Sequence, residues 1–319
     1  MNASFREWIR RLSPFLGLAL VVLIFTLLLD DPGRFLSIRN LRVVASQTVI
    51  VAIGAIGMTV IIISGGIDLS VGSSIALTGV VAALGIRAGW APLVSIIMGI
   101  LVGGLIGGII GFLITRLRVV PFIITLGMLG VARGTAKWLA NQQTVDTIPT
   151  WVDGMAVTFP SPTWLVFAPG VWVAVLLAVG MAFVLRRTIF GRHIFALGSN
   201  EAAARACGIL VERMKIWIYL IAGLFFGLAG IAQMSRLRQG DPTVAIGTEL
   251  DIIAAVVIGG GSLNGGEGSI LGSMIGALIM AFLRNGCQQM GWANYIQEII
   301  IGAIIIAAVA IDQWRSRHN

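Results

Sequence analysis

Lysine is almost missing from this 319-residue sequence: of 22 basic residues only Lys137 and Lys215 are lysines. A phosphate-binding loop of the G-x-x-x-x-G-K-[ST] kind needs a lysine beside backbone amides. Neither "TAKWL" nor "RMKIW" supplies that setting, so ATP hydrolysis by this route is excluded. Histidine and cysteine are as scarce, with two each. His193 and His318 sit in charge clusters, and with Cys207 and Cys287 they make no plausible metal set. Two cysteines imply no disulfide framework either. No Ser/His/Asp grouping is suggested by any motif, and enzyme readings end there. Charge is also sparse, at 11% of residues, where a soluble domain carries about a quarter. The net charge is +8 and the pI 10.9. The basic residues stand singly at the ends of apolar runs, without a basic face or interleaved aromatics, which excludes a nucleic-acid partner.

What the sequence does contain is apolar: 57% hydrophobic residues, a mean hydropathy of +0.97 and 41 glycines. Glycine is commoner in membrane helices than in soluble ones, and no segment alternates as a porin strand would. The expectation is an all-α polytopic membrane protein. Spans are expected near 13–30, 43–63, 67–86, 92–115, 119–140, 164–185, 214–235, 249–263, 267–284 and 294–312, from runs of roughly 20 apolar residues. The eighth is short, so nine spans is the alternative to ten. Arg6, Arg10 and Arg11 followed by an apolar run resemble a signal peptide, but "LLLDDPGR" stands where small cleavage-site residues belong, and an uncleaved first span is expected. With the N-terminus cytoplasmic, thirteen Lys and Arg fall inside and nine outside. Both termini are then cytoplasmic, which favours ten spans and puts the cysteines on opposite sides. A single membrane domain, 1–319, is expected, with a cytoplasmic loop 186–215 and an outer loop 141–163; loops that long are commonly functional or flexible.

Several stretches stand out. "MGILVGGLIGGIIGF" (98–112) carries small residues at about every fourth position, a pattern for close helix packing. Two glycine-rich breaks, "SGGIDLSVGSS" (64–74) and "GGGSLNGGEGS" (259–269), share an order of residues that hints at duplicated halves. In the first, Asp68 can cap the following helix or contact a gate at the cytoplasmic mouth; Gly65, Gly66 and Ser70 belong to the same segment. An ion-driven carrier would place ionisable groups in mid-membrane. The fourteen acids instead lie in loops or near span ends, Asp251 and Glu298 deepest. Arg133, inside the fifth span, either snorkels to the outer interface or makes a polar contact within the pathway. Finally, "SNEAAARACG" reads as a short cytoplasmic helix. Ser199 or Asn200 caps it, Glu201 stands in its first turn, and Gly208 stops it. Such a helix is either a plain connector or a knob that sets into a groove on a partner.

"ALGSNEAAARACGI", "IIISGGIDLSVGS" and "AAVVIGGGSLNGGEGSILGSMIGALI" together resemble signatures of the ribose/xylose/arabinose-type permeases of bacterial ABC importers, in that family's order and spacing from about residue 40 onward. The resemblance implies a ten-span, type II importer-like permease in the inner membrane, moving a monosaccharide delivered by a periplasmic solute-binding protein. It implies a second permease subunit (homodimer or paired permease) and a cytoplasmic ATPase subunit that binds ATP and Mg, with no cofactor on this chain and lipid around it. It also implies that Gly198, Asn200, Glu201, Ala203, Ala204, Arg205 and Gly208 form the helix that couples to the ATPase. Cys207 stands where the family often has serine or a similar small residue. Loops 141–163 and 236–243 are candidate docking surfaces for the binding protein. The alternatives are an ABC importer of a nonsugar solute such as an autoinducer or nucleoside, an ion-coupled secondary carrier, and a structural scaffold.

Overall fold

A computed structural model describes residues 3–160 and 165–316 of the chain. Residues 161–164, which close the expected outer loop and open the sixth expected span, lie outside them, as does Arg317 of the expected inner set. In chain order the elements are α1 (Ala3–Leu28), α2 (Pro32–Phe35), α3 (Ile38–Ile63), α4 (Val71–Arg87), α5 (Pro92–Leu117), α6 (Pro121–Leu139), β1 (Val145–Asp146), a 3-10 turn (Trp151–Ala156), α7 (Pro169–Arg187), α8 (Ile189–Ser199), α9 (Glu201–Ala206), α10 (Val211–Leu237), β2 (Gln239–Gly240), α11 (Thr248–Ile258), α12 (Ile270–Gln289) and α13 (Asn294–Ser316). A helix falls in each of the ten apolar segments. By length and composition, five are able to cross a membrane: α3, α5, α7, α10 and α12. The segment expected at 249–263 holds a helix of 11 residues, too short to span at 1.5 Å per residue.

Local signals set the helix ends. Proline opens α2, α5, α6 and α7, where its missing N–H is no loss. Side-chain caps from Ser37, Thr188, Asn200 and Ser269 open α3, α8, α9 and α12. The centre of the bundle is α3, apolar on all sides and almost wholly buried from Ala52 to Ile63. Helices α10 and α12 pack against it, while α5 and α4 pack against α10 and against each other. The small-residue stripe of α5 does what its spacing suggests. A methyl group on Gly103, Gly107 or Gly111 would meet the backbone of α10 at Gly223, Tyr219 and Ile216. Such proximity gains dispersion energy, the main attraction between helices where lipid replaces water. Outward, α5, α6 and α7 carry exposed rows that include Leu101, Leu105, Ile123, Leu176 and Phe183, a surface suited to acyl chains.

The 27-residue α10 serves as a ruler about 40 Å long. Gly230, about 28 Å along it, abuts Ile75, Thr78 and Gly79. Helix α4 therefore begins about halfway up α10, at roughly 20 Å. After α10 the chain turns and comes back down: Gly240 lies against Val80 and Ala83, whereas Ala245 and Glu249 lie against Gly72. From there α11 runs on to the second glycine-rich break. Thus α4 and α11 are two part-length helices whose first turns meet in the middle of the bundle, an arrangement that hydropathy alone did not indicate.

On the outer side, by the charge-derived orientation, the loop after α6 does not hang free. Strand β1 pairs antiparallel with β2, Val145 opposite Gly240 and Asp146 opposite Gln239. The following 3-10 turn begins in a Thr150/Asp153 capping box and is fixed from the bundle by Ser46 Oγ donating to Ala156 O at 3.0 Å and Ser235 Oγ donating to Val152 O at 2.7 Å.

Candidate functional site

Six residues form α9, too few to be helical on propensity alone. Its ends explain why it exists. Asn200 Oδ1 accepts the Ala203 amide at 2.9 Å as N-cap. At the other end Gly208 takes φ +86°, its amide reaching Arg205 O at 3.0 Å and the Ile209 amide reaching Ala204 O at 3.1 Å. That pair of bonds is the Schellman stop, which only a residue at ease with positive φ completes without strain. Of the two candidate caps named from sequence, the structure uses Asn200; Ser199 ends α8.

One side chain roots α9: Ala204 is buried while Glu201, Ala203 and Arg205 are exposed. Ion pairs brace it against the start of α10. Lys215 Nζ donates to Glu201 Oε2 at 2.7 Å, and Arg205 Nη1 donates to Glu212 Oε1 at 2.6 Å. The Glu212 bond holds the Arg205 guanidinium above its ordinary range. The sequence reading gave neither Lys215 nor Glu212 a part in holding α9. Acid and base spaced to meet across a Gly-stopped turn were the available signal.

Immediately before α9 the packing changes character. At Gly198 a methyl group would collide with the Ile63 carbonyl and crowd the Gly266 amide. Gly266 N donates to Ile63 O at 2.8 Å. A side chain on Gly265 would meet Gly198 O and Gly65, and one on Gly266 would meet Ser199. The two glycine-rich breaks, 200 residues apart in sequence, therefore meet each other and the end of α8 at one point. In this way Gly65 and Gly198 come together, while Gly66 packs on the Tyr219 hydroxyl of α10.

The Asp68 geometry differs from a simple helix cap. Position N-cap of α4 belongs to Ser70, whose hydroxyl makes no bond to the helix amides. Asp68, 1% exposed, instead turns the chain two residues earlier. Its Oδ1 accepts the Ser70 amide at 2.7 Å and the Ser70 hydroxyl at 2.6 Å. The other deeply buried carboxylate among the described residues, Asp251, takes Arg284 Nη2 at 2.6 Å and Nε at 3.0 Å on its Oδ2. Arg133 Nη1 donates to Pro242 O at 3.0 Å and Val244 O at 2.6 Å, holding the descending stretch between β2 and α11. Cys207 is exposed, Cys287 buried, and both are free. Among the described residues no group of three His, Cys, Asp or Glu could hold a metal ion.

Comparison with known proteins agrees with this frame. Residues 40–309 match the family described as branched-chain amino acid transport system / permease component. The chain belongs to this permease family. It is 39% identical to the ribose import permease protein of Escherichia coli strain K12, over 92% of each chain. It is 37% identical to the fructose import permease protein of Rhizobium meliloti, over 94% of this chain and 84% of that one. Against the L-arabinose ABC transporter permease protein of Azospirillum brasilense it is 34% identical, over 94% and 87% respectively. No solved structure matches the chain. Family membership and five span-length apolar helices make this permease a multi-pass membrane protein.

Proposed function

We propose that this chain is the membrane-spanning permease subunit of an ATP-driven importer of a monosaccharide, and that α9 is where the work of a separate ATPase enters it. Three relatives whose names specify ribose, fructose and arabinose support the sugar reading over a nonsugar solute. In this reading ten segments cross or enter the inner membrane with both termini cytoplasmic. A cytoplasmic ATPase subunit binds ATP and Mg, a periplasmic solute-binding protein delivers the sugar, and a second permease subunit completes the passage. The β1–β2 ribbon joins the two loops suited to receive the binding protein, 141–163 and 236–243.

The observation that carries the coupling role is the contrast within ten residues. An exposed, capped helix of small residues, Ala202, Ala203 and Ala206 among them, projects from a root that has no slack at Gly198. A short rigid helix of that kind fits a groove on a partner protein. Force on it reaches Gly65 and Gly265 directly, and through them α3, α11 and α12. Gly65, Gly66, Asp68 and Ser70 then form the cytoplasmic gate segment whose position this contact sets.

The test is solute-stimulated ATP hydrolysis and uptake in liposomes holding the permease, its ATPase and its binding protein. Glu201→Arg with Ala203→Arg places two cations on the exposed face and leaves buried Ala204 alone. Loss of stimulated hydrolysis and uptake with the permease folded is expected. Undiminished uptake would sink the assignment, and uptake persisting without the ATPase would indicate a carrier working alone.

A further inference from the structure

The described residues contain six buried side-chain polar atoms with no hydrogen-bond partner in the chain. Four of them are Ser73 Oγ, Ser74 Oγ, Glu249 Oε2 and Asp251 Oδ1. All four belong to the first turns of α4 and α11, the part-length helices that touch where Gly72 meets Ala245 and Glu249. A fifth, the Tyr219 hydroxyl, lies just below, against Gly66. An unpaired polar atom away from water costs about 1–3 kcal/mol, so four in the first turns of two touching helices are a concentration that packing by itself would remove.

We infer that the meeting of α4 and α11 is a transient binding site for a neutral, hydroxyl-bearing solute, with Ser73, Ser74, Glu249 and Asp251 as its hydrogen-bonding set. The inference rests on the importer reading and supplies pathway residues that the reading lacks.

Neutrality follows from the charges. Asp251 is paired with Arg284, and Arg133 lies within electrostatic reach of Glu249 and of Asp241, whose Oδ1 is taken by the Thr243 amide and hydroxyl. The set's own two carboxylates, Glu249 and Asp251, are matched by these two arginines and leave no net charge among the four to attract an ion. Hydroxyl chemistry follows from the free atoms: carboxylate oxygens accept only, whereas serine hydroxyls both donate and accept, which is the set a polyol satisfies. Burial of Ser73 and Ser74 at 1% exposure shows the contact closed. The part able to give way is the descending stretch 241–247. It is irregular, held to α6 through two carbonyls by Arg133, and turned at Ala245 (φ +62°) and Gly247 (φ +81°). Displacing it uncovers the first turn of α4 without breaking a helix.

The experiment compares wild type with Ser73→Ala/Ser74→Ala in liposomes with the ATPase and binding protein, using ribose and 2-deoxyribose as probes, with melting of the purified permease in detergent. If the hydroxyls only pack, removing unpaired buried atoms leaves uptake unchanged and the melting temperature equal or higher. The site predicts that melting behaviour is kept while ribose uptake falls about tenfold or more, with a smaller fall for 2-deoxyribose. Unchanged ribose uptake, or equal loss for both sugars, would overturn the site while the importer reading stands. A wild type that hydrolyses ATP yet moves no sugar would overturn the importer reading and the site with it. Should the double variant not assemble, Glu249→Gln keeps the side chain's shape and faces the same criteria.

Discussion

Two regions within ten residues of each other behave oppositely: the helix α9 and the point where Gly198 meets the glycine-rich breaks. The first is exposed, held by terminal caps, one buried alanine and surface ion pairs. The second has backbone against backbone and no room for a methyl group. In the proposed coupling role, a protein that receives a mechanical push benefits from both. The contact surface must be reachable and shaped, and the joint behind it must not yield. Stability in the first is a sum of small local terms, whereas in the second it is a steric limit.

The comparison is broken most severely at Gly198. Replacing it with alanine forces a methyl group into the Ile63 carbonyl, and overpacking of this kind costs about 1–3 kcal/mol or more. A clear drop in melting temperature and loss of coupled uptake are expected; a variant with wild-type melting would show that the joint does yield. Gly208→Ala comes next. Strain at φ +86° should weaken the end of α9 by about 1 kcal/mol. Because α9 is peripheral, faster amide hydrogen exchange at Ala204 to Ile209 is the readout, with global melting almost unmoved. Asn200→Ala removes the N-cap and should cost a similar amount, about 1 kcal/mol, seen as faster exchange at Ala203. Exchange unchanged in both would mean that α9 is held by something other than its caps. The smallest effect belongs to Lys215→Ala. Its pair with Glu201 is partly exposed and is worth less than about 1 kcal/mol. Raising the salt concentration in wild type should reproduce most of that loss.

How far each region could be read beforehand follows the same division. Asn200, the run Glu201–Ala206 and Gly208 announce α9 because a helix end is decided by residues within a few positions of it. The apolar segments announced a helix each because hydropathy is also local. Asp68 was misplaced by two residues: a carboxylate before a helix fits several turn geometries, and Ser70 competes for the cap position. Lys215 and Glu212 lie only a turn or so beyond the stop, yet their pairing with α9 depends on how sharply the chain folds back at Gly208. Arg133 left two readings open from sequence, since the partner of a cation in a span can come from anywhere in the chain. Its partners turned out to be carbonyls more than a hundred residues away.

Glycine shows the division most plainly. Gly127 and Gly198 are the same letter, one with nothing within 4 Å of a would-be side chain, the other sealed against Ile63. By itself the sequence determined that the chain is helical, apolar enough for lipid, marked with a capped polar helix and built on a permease's signatures, because propensity, capping and hydropathy act over a few residues. Only the tertiary structure decided that the two glycine-rich breaks touch, that β1 and β2 tie together the loops after α6 and α10, and that α4 and α11 meet at mid-height. Those contacts join residues tens to hundreds of positions apart, where steric fit between surfaces, not local preference, sets the outcome.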